Sequence, residues 1–221
     1  MEIHPPEGPV HSLKDFLLHL SMIAIGVLLA LGAEGLAEHV HNRHLVREAK
    51  ENITGEIRGN HQTLQDNLPK LASNEQQLKS LLETLTKLRT DRHVPVPDVT
   101  LNLNMLILDD SSWKTAGTTG ALGLMSYGEV KDFASDYEVQ DNANRLAQQL
   151  MDYWLNMTAL NGDLSKLSDQ QLDDLTHRIQ LSLSHLQALQ NICKSLDGEY
   201  VKRLSRKWGE RAQYEIAGPV T

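Results

Sequence analysis

The chain has 221 residues, a formal net charge of −8 and a single cysteine, Cys193. The acid excess argues against a nucleic-acid binder, which would present a basic face to phosphate. One cysteine excludes both an intrachain disulfide framework and a cysteine-built metal cage. Aromatics make up only 5%, with 2 Phe. Leu, Ile, Val, Met and Ala must therefore build the core, a composition that suits packed helices better than sheets.

Residues 1–15 form a polar lead. Residues 16–36 then read FLLHLSMIAIGVLLALGAEGL, in which His19 and Ser21 are the only polar side chains between Leu17 and Ala33. About 20 residues of helix cover a hydrocarbon layer of roughly 30 Å, so this run predicts one transmembrane helix. The spanning backbone must satisfy its own hydrogen bonds, which only a helix does within one segment. Glu2, Glu7 and Asp15 sit ahead of it, so the lead is weakly basic at most. The helical pattern also runs on past the span, and a cleaved signal peptide is not expected. Lys14 lies before the span; Arg43, Arg47 and Lys50 lie after it. This balance tilts toward a cytoplasmic domain, but large domains translocate regardless of so small a bias, and both orientations stay open.

Gly26 and Ala30 make a small-x3-small pair, followed by Ala33, and such a surface lets membrane helices approach closely. The same residues are also simply common in membrane helices. Glu34, at the exit end, can reach water or meet a partner helix.

Residues 37–209 predict a soluble helical domain. Val46, Ala49, Ile53, Ile57, Leu64 and Leu68 follow helical spacing, with Asn60 interrupting the stripe. Pro69 is expected to end or kink that helix. Leu78, Leu81, Leu82, Leu85 and Leu88 mark a second helical run before Pro95 and Pro97. Residues 99–107 then alternate Val, Leu, Leu, Met and Ile with Thr and Asn, a period-2 pattern with no second strand to pair with. Two readings fit this run: an extended connector, or pairing with another subunit.

A short helix is expected near residues 112–121. Ser126 with Glu129 reads as a capping box that opens a helix running to about Leu160, closed by Asn161-Gly162. Its expected buried side includes Val130, Phe133, Tyr137, Leu146, Leu150, Tyr153, Trp154 and Met157. Ser168 with Gln171 caps a last helix whose stripe runs Leu172, Leu175, Ile179, Leu183, Leu186, Leu189, Cys193, Leu196, Tyr200 and Leu204. Residues 210–221 form a polar tail. The fold class is all-α: one transmembrane helix continuing into a bundle of about four long helices, with one short extended segment.

No nucleophile motif or phosphate loop stands out. GTTGALG lacks the lysine and the strand–turn–helix setting that phosphate binding needs. Trp113, Trp154 and Trp208 read as core or interface anchors. The most suggestive polar cluster is Glu38 to His44. There Glu38-x-x-His41 has the i, i+3 spacing used in di-iron bundles, with His44 beside it. Its nearest counterpart is Asp174-x-x-His177. A metal ion or haem held by Glu38, His41, His44 and His177 is thus the alternative to a plain polar juxtamembrane helix; no cofactor is expected on the leading reading.

Residues 12–57, a span followed by a charged helix, and residues 112–140, where a Trp, a Gly-Ala-Leu turn and a Tyr-bearing helix occur together, cover about a third of the chain. They resemble a poorly characterised bacterial group of single-pass membrane proteins with a helical domain of unknown function. The resemblance implies a bacterial inner-membrane location, and in members with strongly basic N-termini an extracytoplasmic domain. The present N-terminus is not strongly basic. The resulting expectation is a non-enzymatic, membrane-tethered assembly or accessory protein. Its expected partners are lipid, further copies of itself or other membrane subunits, and not nucleic acid.

Overall fold

The computed structural model describes residues 13–97, 106–157 and 162–205. Residues 1–12, most of the expected extended run, Asn161, Trp208 and the 210–221 tail lie outside the described residues. Four α-helices make up the described fold: α1 (Leu13–Leu88), α2 (Ser111–Thr118), α3 (Tyr127–Leu155) and α4 (Asp169–Ser205). The all-α architecture expected from composition and apolar stripes is present, and the described residues contain no strand. The chain divides into two compact units, Met1–Glu48 and Ala49–Thr221.

In the first unit, α1 is long and apolar enough to cross a membrane, and none of its most apolar window is buried by protein. Ile23, Leu28 and Leu29 are each at least 65% exposed. Gly26, Ala30, Ala33 and Glu34 are exposed as well. A soluble helix normally turns such side chains inward. A helix that is apolar all round calls for lipid or neighbouring helices.

The second unit is built on α1, α3 and α4. Side-chain pairs set their directions. Lys50 meets Glu129 and Asn60 meets Gln140, so α1 and α3 run parallel. His61 meets Asp197 and Gln187 meets Glu75, so α4 runs antiparallel to α1. Arg203 meets Asp132 and Tyr200 meets Gln140, which makes α3 and α4 antiparallel. The core holds Ile53, Ile57, Leu64, Leu78, Leu81 and Leu85 from α1, Phe133 and Leu150 from α3, and Leu172, Ile179, Leu186, Leu189 and Cys193 from α4. Of the expected stripes, Val46, Leu68, Leu82, Val130, Leu146, Tyr153, Trp154 and Leu204 are half-buried.

Pro69 does not end the first helix. It sits on the exposed side of α1, and the helix continues to Leu88. A proline in a helix interior forfeits one backbone hydrogen bond and crowds the preceding turn, at about 3 kcal/mol. Fully burying each of Leu64, Leu78, Leu81 and Leu85 contributes about 1.5–3 kcal/mol, which outweighs that local cost. The two apolar runs on either side of Pro69 are therefore one element.

Both capping boxes form. The Ser126 hydroxyl accepts from the Glu129 backbone N–H, and Glu129 accepts from the Ser126 N–H. Ser168 and Gln171 make the same reciprocal pair at 2.9 and 3.3 Å. The α3 helix ends at Leu155, capped by Asn156. Between α2 and α3 the chain turns at Gly120, whose φ of +79° is left-handed backbone that a side chain would strain.

Candidate functional site

The residue that interrupts the α1 stripe organises the most elaborate polar cluster of the second unit. Asn60 is 3% exposed. Its side chain meets the backbone of Asp109 at two points: Nδ2 donates to the Asp109 carbonyl at 2.7 Å, and Oδ1 accepts from the Asp109 N–H at 2.8 Å. One helical turn apart on α3, Gln140 and Asn144 complete the grip. Gln140 Nε2 donates to the same carbonyl at 2.8 Å. Asn144 takes the Leu108 N–H and donates to the Leu108 carbonyl, both at 2.9 Å. Asn60 Nδ2 also donates to Gln140 Oε1 at 3.0 Å, and the Tyr200 hydroxyl donates to that oxygen at 2.5 Å.

This arrangement shows how the end of the period-2 run is accommodated. Leu106 and Leu108 are buried and Ile107 is exposed, so the alternation here has the opposite register to the expected one, which put Ile107 on the apolar face. Amide side chains take the place of a neighbouring strand. Buried backbone groups must find partners, and here Asn60, Gln140 and Asn144 supply them. At this end the connector reading applies within the chain.

The next residues are held by Glu56, one turn before Asn60. It accepts from the Ser112 backbone N–H at 2.6 Å, from the Ser111 hydroxyl at 3.1 Å, and from the Tyr137 hydroxyl. Trp113 lies stacked on Tyr137, with ring centroids 5.2 Å apart, and tilted against Phe133. Burial, then the Glu56 contact, pushes the Tyr137 phenol well above its ordinary range. Tyr200 is raised as well, by burial and then by the nearby Asp136 charge. Both phenols thus stay protonated at neutral pH and serve as donors.

A buried ion pair closes this end of the bundle. Arg203 Nε donates to Asp136 at 2.7 Å, while its other nitrogens bond the Asp132 carboxylate and carbonyl at 2.8 and 2.9 Å. The guanidinium also lies over Phe133, 5.7 Å from the ring centre. Burial above all, with the Glu199 and Asp132 charges, keeps the Asp136 carboxyl above its ordinary value even though Arg203 lowers it. At Glu129 the balance reverses: burial is the largest single influence and opposes ionisation, but the Lys50 and Ser126 hydrogen bonds together bring the carboxyl below its usual range.

The residues expected as metal ligands are placed differently. Glu38, His41 and His44 are exposed on the first unit's stretch of α1, and His44 faces Glu48 at 3.7 Å. Asp174 and His177 are exposed on α4. Among the described residues, no group of three or more His, Cys, Asp or Glu side chains comes together to hold a metal ion. Cys193 is fully buried, and burial, followed by the Asp197 charge, pushes its thiol up to about 12. It remains a protonated core side chain at neutral pH.

Sequence reading finds Asn60 only as a defect in a stripe, takes Glu56 as a charge facing out, and does not single out Gln140, Asn144, Asp136 or Arg203. Glu56 instead turns inward, half-buried, to Ser112 and Tyr137. Two signals were available: the amides Gln140 and Asn144 spaced four apart on α3, and an Asn falling on the apolar face of α1. Compared with protein-family models, curated proteins and solved structures, the chain matches none.

Proposed function

We propose that the protein is a membrane-anchored, non-enzymatic assembly or accessory protein of the bacterial inner membrane, oligomeric or a subunit of a larger membrane complex. One observation carries this reading. The apolar stretch of α1 is wholly exposed, whereas Asn60, Gln140, Tyr200, Asp136 and Arg203 engage one another inside the bundle, and the buried Trp154 Nε1 and Gln190 Nε2 are left without a hydrogen-bond partner among the described residues. A catalytic site needs polar groups poised toward a substrate, with perturbed groups left available for it. Here Glu56, Asn60, Gln140, Asp136, Arg203 and both perturbed tyrosines are spent on intramolecular contacts.

On this reading residues 16–36 lie in lipid, and Gly26, Ala30 and Ala33 provide a close-approach surface for a second helix with Glu34 at its end. Chemical crosslinking in native membranes tests it. Discrete oligomers or one recurrent partner are expected, and Gly26→Leu with Ala30→Leu should weaken them. A product that stays strictly monomeric contradicts the proposal. Elemental analysis of the purified protein is expected to find no stoichiometric metal. One metal per chain, lost in His41→Ala, would replace this reading with a metal- or haem-binding one.

A further inference from the structure

The contacts of residues 106–113 form a strap across two helices. On α1, Glu56 and Asn60 hold Ser111, Ser112 and Asp109. On α3, Gln140 and Asn144 hold Asp109 and Leu108, and Tyr137 carries the Trp113 ring. Leu106 and Leu108 anchor the strap in the core at 3% and 2% exposure. Hydrogen bonds of this kind fail within a few tenths of an ångström beyond their range and weaken steeply with angle. A slide of α1 along α3 by even a fraction of a turn therefore breaks both Asn60 bonds together. It would leave the amide of Asn60, itself 3% exposed, without its Asp109 partners, and an unpaired amide in a buried setting is a state that chains avoid. The strap cannot follow α1 and α3 in two directions at once.

We propose that the 106–113 strap is a latch that fixes the axial position of α1 against α3. Glu56 and Asn60 are its receiver on α1, and displacement of α1 releases the strap as one unit. Discrete, all-or-none rearrangement is the usual response of packed interfaces to small shifts. The latch rests on the membrane-anchor reading only for the origin of the displacing force: α1 is the helix that also carries the exposed apolar stretch. The chain's own geometry supplies the rest.

Asn144 gives the decisive test because its described hydrogen bonds are to the strap and not to α1. The experiment uses the full chain in lipid nanodiscs, with Cys193→Ala as background and nitroxide labels at two exposed positions, Arg58→Cys on α1 and Ser135→Cys on α3. Two quantities are read in the same samples: hydrogen exchange of a peptide covering 106–113, and the α1–α3 distance distribution by pulsed electron resonance. Asn144→Leu should raise strap exchange roughly tenfold or more and add a second or broadened α1–α3 distance population. Asn60→Leu should do the same from the other side. If exchange rises in Asn144→Leu while the distance distribution stays that of the parent, the strap does not position α1 and the proposal fails. If exchange does not rise, the amide grip does not hold the strap and the proposal fails equally. Should Asn60→Leu not fold, Asn144→Leu alone decides. Crosslinked oligomers report separately on the anchor reading, so the two can fail independently.

Discussion

Within the bundle, residues 49–65 and residues 71–88 of α1 meet their neighbours by different physics. The first stretch buries Ile53, Ile57 and Leu64 but also reaches out with Lys50, Glu56, Asn60, His61 and Gln65, each bonded far away in sequence, Gln65 to Asp197. The second stretch buries Leu71, Leu78, Leu81, Leu85 and Leu88. It also buries the polar Asn74 and Thr84, Glu75 pairs with Gln187 on α4, and Arg89 with Asp173 and Arg92 with Asp169 follow at its end. Apolar burial is non-directional and tolerates sliding; hydrogen bonds are directional and do not. One helix thus draws cohesion from its leucine half and register from its polar half.

The sharpest way to disturb the surroundings of the polar half is at the buried charge pair between its neighbours α3 and α4. Arg203→Ala leaves Asp136 buried without its cation and should cost about 3–5 kcal/mol in denaturant unfolding. The double replacement Arg203→Met with Asp136→Leu removes both charges and should recover most of that loss. If the double variant is as unstable as the single, the pair does more than neutralise itself. Next comes the leucine half. Leu81→Ala deletes a fully buried side chain and should cost about 2–5 kcal/mol, while leaving exchange of the 106–113 backbone unchanged under native conditions. A selective rise there would show that cohesion and register are not separable.

Asn60→Ala should cost about 1–3 kcal/mol, because the Asp109 backbone loses a donor and an acceptor. Unlike Leu81→Ala, it should loosen the strap before it loosens the bundle. The smallest effect concerns Glu75, whose carboxyl is held down to about 2, chiefly by the Lys79 hydrogen bond and then by Gln187. Its native value lies below the ordinary 4.5, so the unfolded chain binds more protons as the pH drops. Its contribution is present above about pH 4.5 and lost as pH falls toward 2. Asp136 is shifted the other way and opposes that loss. Glu75→Gln should flatten the acid limb of the stability profile and change neutral-pH stability by under about 1 kcal/mol. An unchanged acid limb would remove Glu75 from the account.

The two halves also differed in how far the sequence revealed them. Leu78, Leu81, Leu85 and Leu88, like Leu172 through Tyr200 on α4, carry period and composition that a single chain displays, and they were legible. So were the two capping boxes, since Ser126 with Glu129 and Ser168 with Gln171 are three residues apart. Pro69 does not end the helix, because its penalty is local, whereas the leucines that override it are spread over several turns. Asn60, Gln140, Asn144 and Arg203 gain their meaning from partners separated by tens of residues, as with Asn60 and Asp109 or Arg203 and Asp136. Nothing in local periodicity encodes that. Glu38 and His41 illustrate the reverse: correct spacing on one helix, with no gathered ligand group among the described residues.

The central claim is that one helix passes from lipid to protein surroundings. A nitroxide scan along residues 16–60 in bilayers, reading collision with oxygen and with a water-soluble nickel chelate, tests it most directly. The account predicts high oxygen and low chelate access at successive positions through residues 16–36. Beyond Ala49 it predicts a 3.6-residue alternation in which Ile53, Ile57 and Asn60 are shielded from both. Chelate access throughout residues 16–36 would contradict it.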